Sequence, residues 1–532
     1  MLVAEAIGRA LAAHGVETVF GLLGSGNLTF TNALRDAGAR FVAARHEGGA
    51  ICMADGYARV SGKLPVCSVH QGPGLTNTIT GLTEAAKSRT PLLLLAADTP
   101  AAALRSNFRI DQTGLVEAVG AVAERVHGPD TAMADVARAV RRARVERRAV
   151  VLMLPLDVQA GETEFTAPPE APPLAPARPA ADSVSAAADL LRSAQRPAII
   201  AGRGAVLAGA SDALQRLGEA TGAILATSAV ANGLFAGDPY SVGIAGGFSS
   251  PTAARLLREA DVVIAFGAAL NQWTTRHGTL IAGTVIQVDR DEEAIAAHRP
   301  VDVGIVGDAL ATAEALLPAL EGHAPSRRTP ALAVEIEACA WRHVPYEEST
   351  TRVDPRTLSI ALDDMLPAER TIVVDSGHFM GWPSMYLRVP DAAGFVFPQA
   401  FQCVGLALGN AIGAAIARPD RLTVAALGDG GALLALPEFE TLGRLGLPLL
   451  VVIYNDAAYG AEVHHFRPMG QAVDLAQFPD TNFVGLARAA GCRATDNIDD
   501  LRGWLENPDR PMVLDARIDP DIVAEWLEEA FR

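Results

Sequence analysis

The chain has 532 residues, room for about three domains at the usual domain size. It is 50% hydrophobic and 20% charged, the make-up of a globular protein with ample core, and its net charge of -17 argues against non-specific nucleic-acid binding. Five cysteines without a Cys-x-x-Cys spacing, no basic-then-apolar leader and no apolar run of the roughly 18 residues a membrane span needs lead us to expect a cytoplasmic protein without a membrane segment.

In chain order, residues 1–165 form an expected first domain, with strands at 17–21, 41–43, 66–69, 92–96 and 150–154 separated by Ala- and Leu-rich helical stretches. A linker over 166–182 follows, because Pro168, Pro169, Pro172, Pro173, Pro176 and Pro179 favour extended backbone and forbid a packed helix. A central domain over 183–325 has expected strands at 198–200, 223–226, 262–266 and 285–288. A second linker over 326–352, near Pro325, Arg327 and Arg328, leads to a third domain over 353–532 with strands at 371–374, 423–427, 449–454 and 512–515. Strands alternating with helices throughout predict an α/β protein of three doubly wound parallel-sheet domains, whose ligands sit at the carboxyl ends of strands.

The loops at those strand ends carry the chemistry. Leu22-Leu23-Gly24-Ser25-Gly26-Asn27 and His70-Gln71-Gly72-Pro73-Gly74 close two strands of the first block, and Arg45-His46-Glu47-Gly48-Gly49-Ala50 opens a helix that runs to Asp55-Gly56-Tyr57-Ala58-Arg59. On residue type alone Glu47 also reads as a helix N-terminal acid worth a few tenths of a kcal/mol, Ser25 as a turn hydroxyl and His70 as a hydrogen-bonded strand terminus. In the central block Gly202-Arg203-Gly204 suggests a dinucleotide loop, but Leu207 stands where the third glycine belongs. In the third block Asp375-Ser376-Gly377-His378 offers donors to a phosphate. Further on, an apolar strand ends in Gly428-Asp429-Gly430-Gly431, and the next strand ends in Asn455-Asp456. Parallel strands joined by a helix bring both carboxyl ends to one edge, so Asp429 and Asp456 are expected to converge. Two hard oxygen donors beside a glycine turn suit Mg²⁺ carrying a diphosphate.

This clamp resembles the signature of thiamine diphosphate (ThDP) enzymes of the acetolactate synthase and benzoylformate decarboxylase type, with Asp456 where they carry a second Asn. The resemblance implies that Asp429, Asp456 and the backbone carbonyl of Ala458 hold the Mg²⁺, and that Gly428, Gly430, Gly431, Tyr459 and Gly460 line the cofactor. It implies that Ser376, Gly377 and His378 contact the diphosphate, that the Gln402 carbonyl accepts from the 4′-amino group, and that Val404 props the cofactor in its bent shape, although a core valine would look the same. Glu47 is similar to the glutamate that hydrogen-bonds N1′ of the aminopyrimidine, shifting the ring to the imino tautomer whose nitrogen removes the proton from C2. Ser25 and His70 fall where benzoylformate decarboxylase has a pocket serine and a proton-relaying histidine, and an uncharged imidazole suits that role. Phe108 and Gln112 resemble an acetolactate synthase loop near the substrate, with a solvated loop as the equal alternative. Gln71, Glu462 and His465 complete the expected pocket.

The departures matter too. That family's second pocket histidine has no counterpart in Asn271-Gln272-Trp273-Thr274, and the tryptophan that acetolactate synthases often show after the clamp is missing. FAD in the central domain is an expectation ranked behind purely structural filling. The resemblance therefore implies a ThDP- and Mg²⁺-dependent lyase or carboligase, which decarboxylates a 2-oxo acid and protonates the enamine or adds it to a second carbonyl. A benzoylformate decarboxylase-like enzyme is the alternative. A 2-hydroxyacyl-CoA lyase ranks lower, because little chain follows Trp526. A homodimer at least, and a homotetramer by family habit, would bring Glu47 of one subunit to Asp429 of another.

Overall fold

A computed structural model describes residues 1–167, 174–325, 327–338 and 340–530. The first sheet holds β1 (Thr18–Gly21), β2 (Arg40–Ala43), β3 (Val66–Val69), β4 (Leu92–Asp98), β5 (Val122–Arg125) and β6 (Ala149–Pro155). The second holds β7 (Pro197–Ala201), β8 (Ile224–Thr227), β9 (Ser241–Ile244), β10 (Val262–Phe266), β11 (Thr284–Asp289) and β12 (Val303–Val306). The third holds β13 (Arg370–Val374), β14 (Phe395–Val396), β15 (Leu422–Gly428), β16 (Leu449–Asn455), β17 (Arg493–Thr495) and β18 (Met512–Arg517). Every strand pair within them is parallel, as the alternation of strand and helix predicts.

The orders differ in a way that bears on function. The first sheet runs β2-β1-β3-β4-β6-β5 and the third β14-β13-β15-β16-β18-β17, the same topology twice. The central sheet runs β12-β11-β10-β7-β8-β9, the order typical of dinucleotide-binding folds. Strand order reverses between β1 and β3, between β13 and β15, and between β7 and β10, so these are the three places where a crevice can open.

The first and third sheets share one hydrophobic core. It takes in Phe20, Leu94 and Val151 of the first sheet and Val373, Leu427 and Val451 of the third. At its centre the helix Glu47–Ser61 crosses the helix Ala407–Ala417 with almost no side chain between them. A Cβ at Gly413 would strike the Met53 carbonyl oxygen, and one at Gly56 would strike the Asn410 backbone. Only glycine permits this backbone contact.

In the first connection the Ala177 carbonyl accepts from the Asp308 N–H, and a helix begins at Ala181, inside the expected linker. Pro168, Pro169, Pro172 and Pro173 lie outside the described residues, as do Ser326 and Cys339 of the second. That second connection carries the helix Pro330–Ala338 and buries Trp341, whose indole donates to the Phe248 carbonyl at 2.8 Å.

Candidate active site

The third sheet builds the clamp. β15 and β16 pair in register up to Gly428 opposite Tyr454, so Asp429 and Asp456 leave the sheet at the same edge. Their carboxylates come within hydrogen-bonding reach of each other. Burial and the neighbouring Asp456 push Asp429 well above the usual carboxylate range, and burial pushes Asp456 up as well. Two buried acids that resist carrying two charges together favour a divalent cation between them. The turn beyond is fixed by the Ala458 N–H, which donates to Asp456 Oδ1 at 3.1 Å, and by Ala457 in the left-handed region at φ 56°. Space is reserved by glycines: a Cβ at Gly460 would strike the Asp456 carboxylate, one at Gly430 the Tyr459 ring, and one at Gly428 would press on Phe379. Among the described residues no cluster of three His, Cys, Asp or Glu side chains forms a metal cage. Two carboxylates are hard oxygen donors of the kind a hard cation takes.

Across the switch point, β13 delivers residues 375–378. Asp375 accepts from the Gly405, Leu406 and Ala407 N–H groups and touches the space at Gly431, so one buried carboxylate ties residues 402–407 to the clamp. Burial pushes it up to about 6. In the loop that it holds, Gln402 is left-handed at φ 55°, and Val404 lies beside Gly431. His378 Nε2 accepts from the Ala524 N–H at 2.8 Å, which places the ring proton on Nδ1 and leaves that N–H to donate. Burial, then His464, push its pKa down to about 3, so it is neutral at pH 7. Ser376 and Gly377 lie in the same turn.

The first sheet supplies a second group. Glu47 opens its helix buried, and Asn77 donates to its Oε2 at 3.0 Å. At the switch between β1 and β3, Ser25 Oγ and His70 Nε2 meet at 3.3 Å, with the Phe108 ring 5.0 Å from the imidazole. His70 Nδ1 and Gln71 Oε1 are buried without a hydrogen-bond partner, a shortage that buried polar atoms rarely tolerate outside functional sites. Gln112 is buried with its amide committed at both ends, donating to the Ala97 carbonyl at 3.1 Å and accepting from the Gly72 N–H at 2.9 Å. It therefore supports the loop that carries His70.

After the clamp, Tyr459 is half exposed against Phe478, Glu462 is exposed, and His465 packs on Phe466. It is His464, not His465, whose ring lies 4.4 Å from that of His378.

Three groups escaped the sequence reading. Asn77 and Asp375 act on neighbours that spacing does not reveal. Glu438, on the helix Pro437–Leu445, accepts from the Arg45 and His46 N–H groups and from Thr441, and so anchors the residues just before Glu47 to the third domain. In sequence it is one more acid in a helix's first turn.

Comparison with known proteins decides what this geometry belongs to. Residues 1–123 match the thiamine pyrophosphate enzyme N-terminal TPP binding domain, 184–316 the central domain, and 375–515 the C-terminal TPP binding domain. A "probable 2-ketoarginine decarboxylase AruI" of Pseudomonas aeruginosa is 32% identical over 93% of this chain and 90% of its own length. The chain belongs to the thiamine pyrophosphate enzymes. Other members of this family are similar over comparable lengths. A sulfoacetaldehyde acetyltransferase of Alcaligenes xylosoxydans xylosoxydans is 30% identical over 95% of this chain and 90% of its own length. A "probable acetolactate synthase large subunit" of Methanocaldococcus jannaschii is 28% identical over 97% and 92%. The protein is thus a thiamine diphosphate-dependent enzyme acting on carbon–carbon bonds, and the two TPP binding domains are those that carry Glu47 and Asp429. No helix among the described residues is long and apolar enough to cross a membrane.

In the central domain the crevice between β7 and β10 is closed by backbone. The Gly202 N–H donates to the Phe266 carbonyl at 2.9 Å and the Gly204 N–H to the Gly267 carbonyl at 3.0 Å. Those are the groups that a dinucleotide phosphate would use.

Proposed function

We propose that the enzyme decarboxylates a 2-oxo acid and passes the acyl unit to a proton or to a second carbonyl compound, using ThDP with Mg²⁺. The observation that carries this reading is the meeting of the Asp429 and Asp456 carboxylates in a glycine-walled turn at the paired ends of β15 and β16. Asp429, Asp456 and the Ala458 carbonyl would hold the cation, and His378 Nδ1–H with residues 376–377 would meet the diphosphate. When bound, the coenzyme supplies an electron sink for the carboxylate that leaves as CO₂. Glu47 holds a proton at the pyrimidine edge, and Asn77 fixes the carboxylate that does so. Gln402 and Val404 would orient the ring, in a loop that Asp375 anchors through the Gly405 N–H. Gln112 and Gln71 shape the loop under the substrate, while Phe108, Glu462 and His465 stand at its rim. FAD is not part of this reading.

The hydrogen bond between Ser25 and His70 favours a second reading, in which the acyl unit is protonated and released as an aldehyde. An imidazole held by a hydroxyl is placed to relay that proton.

We further propose that the working unit is a homodimer, doubling to a homotetramer, in the cytoplasm, with Glu47 of one subunit facing Asp429 of another. In support, exposed apolar side chains gather at both catalytic edges: Leu104, Phe108 and Ile110 on one, Leu434, Tyr459 and Phe401 on the other.

The test is CO₂ release from a panel of 2-oxo acids, with and without a chelator, and with products resolved. An acyloin or acetohydroxy acid supports carboligation, and an aldehyde supports the Ser25–His70 route. No CO₂ from any 2-oxo acid with cofactor and magnesium present would sink the proposal.

A further inference from the structure

The three domains also meet around a cavity of about 480 Å³ that runs from the turn after β7, through Arg203, to the first and third domains. The helix Glu47–Ser61 is about 22 Å long at 1.5 Å per residue. Glu47 opens it at the catalytic edge, whereas Ala58, Arg59 and Gly62 at its other end line this cavity.

Five cations line the cavity, Arg59, Lys63, Arg144, Arg147 and Arg203, against a single acid, Glu17. Two are neutralised within the protein. Arg59 pairs with Asp55 at 2.9 Å and Glu84 at 2.8 Å, and Lys63 with Glu17 at 2.6 Å. The other three meet no carboxylate at ion-pair distance among the described residues. Arg144 donates to the His14 carbonyl, Arg147 to the Leu207 carbonyl at 3.3 Å, and Arg203 only to the Thr90 hydroxyl at 3.3 Å. Arg147 is moreover left-handed at φ 52°, a conformation that a non-glycine residue adopts at a cost. Burial, reinforced by Arg59, pushes the Arg203 pKa down to about 9, the mark of a guanidinium short of counter-charge. Arg147 is partly buried as well, whereas Arg144 is exposed, and a fold does not gain stability by burying guanidinium groups without counter-charge. The rest of the wall is apolar and includes Leu64, Val206, Leu207, Val230 and Phe397.

We propose that this cavity is a binding site for a phosphorylated small molecule, with its phosphate on Arg144, Arg147 and Arg203 and its organic part against the apolar wall. Arginine forks match phosphate geometry, and the volume is that of a small-ligand pocket. The site adjoins the β7/β10 crevice at Arg203 but is lined by neither Gly267 nor Asp289. It does not depend on which 2-oxo acid the enzyme takes.

The test uses the enzyme saturated with its coenzyme and Mg²⁺, phenyl phosphate as probe, and sodium chloride at equal ionic strength as control. Calorimetry is expected to find one probe bound per chain, with affinity reduced about tenfold or more by Arg203→Met and by Arg147→Gln, and unchanged by Arg35→Gln on the surface. Ligand-free Arg203→Met should melt several degrees above wild type while turning over normally, because an uncompensated charge has been removed. Equal binding by wild type and Arg203→Met, absence of binding at millimolar probe, or a lower melting temperature for Arg203→Met would each overturn the proposal, the last by making Arg203 a structural residue.

Discussion

The third sheet and the central sheet begin from the same device and end differently. In each, a strand at the switch point runs into a Gly-x-Gly turn: Gly428-Asp429-Gly430 after β15 and Gly202-Arg203-Gly204 after β7. In the third sheet the glycines leave room for Asp456 and for the Asp375-anchored loop, and two carboxylates meet beside that room. In the central sheet the neighbouring loop at Gly267 moves in until backbone touches backbone and takes the free N–H groups. A glycine turn at a switch point therefore specifies close approach, and the neighbouring loop decides whether a ligand or the protein itself does the approaching.

The largest effect expected lies in the first sheet, which the third needs as its complement. Glu47→Gln should lower turnover by about 10²–10⁴-fold while coenzyme binding persists, read by single-turnover CO₂ release beside calorimetry. Unchanged turnover would remove Glu47 from the chemistry. Next comes a matched pair that could break the comparison outright. Gly431→Ala drives a methyl into Asp375 and Gly204→Ala drives one into Gly267. Each should cost about 1–3 kcal/mol of stability by overpacking, but only Gly431→Ala should also weaken coenzyme affinity. Equal affinities in the two variants would mean that the clamp glycines are no more functional than the central ones.

A smaller effect concerns pH. His378 is held neutral by burial, its folded pKa of about 3 lying below the roughly 6.5 of an exposed histidine. The unfolded chain therefore binds the extra proton first, and wild type loses stability as pH falls from about 6.5 toward 3. His378→Gln lacks that loss, so its melting-temperature deficit against wild type should narrow over this window; a constant deficit would contradict the burial argument. Smallest of all, Asp456→Asn keeps a hard oxygen at the cation and should alter magnesium affinity only a few-fold at neutral pH.

What the sequence disclosed follows burial. Each interior strand of the three sheets is legible as an apolar run, because parallel strands are covered on both faces. The five strands that escaped, β5, β9, β12, β14 and β17, are all sheet edges. β9 and β12 each bury only one residue of four, and β14 has only two residues, so no continuous run announces them. The site divides similarly. Asp429 and Asp456 stand out because glycine turns end apolar strands, and Glu47 because it opens a glycine-rich helix. Asp375, Asn77 and Glu438 work through backbone groups and a neighbouring carboxylate far away in the chain, which no local pattern encodes. Gln112 was legible in place but not in role, since its amide is occupied within the fold.

The glycine crossing of the helices Glu47–Ser61 and Ala407–Ala417 also bears on how the molecule is made. The nascent first domain leaves the ribosome with part of its core uncovered, because the covering helix lies beyond the whole central domain. At about 5–20 residues per second that helix arrives some tens of seconds later. During synthesis, then, the early part of this enzyme must be kept from other chains until its own distant end arrives to complete it.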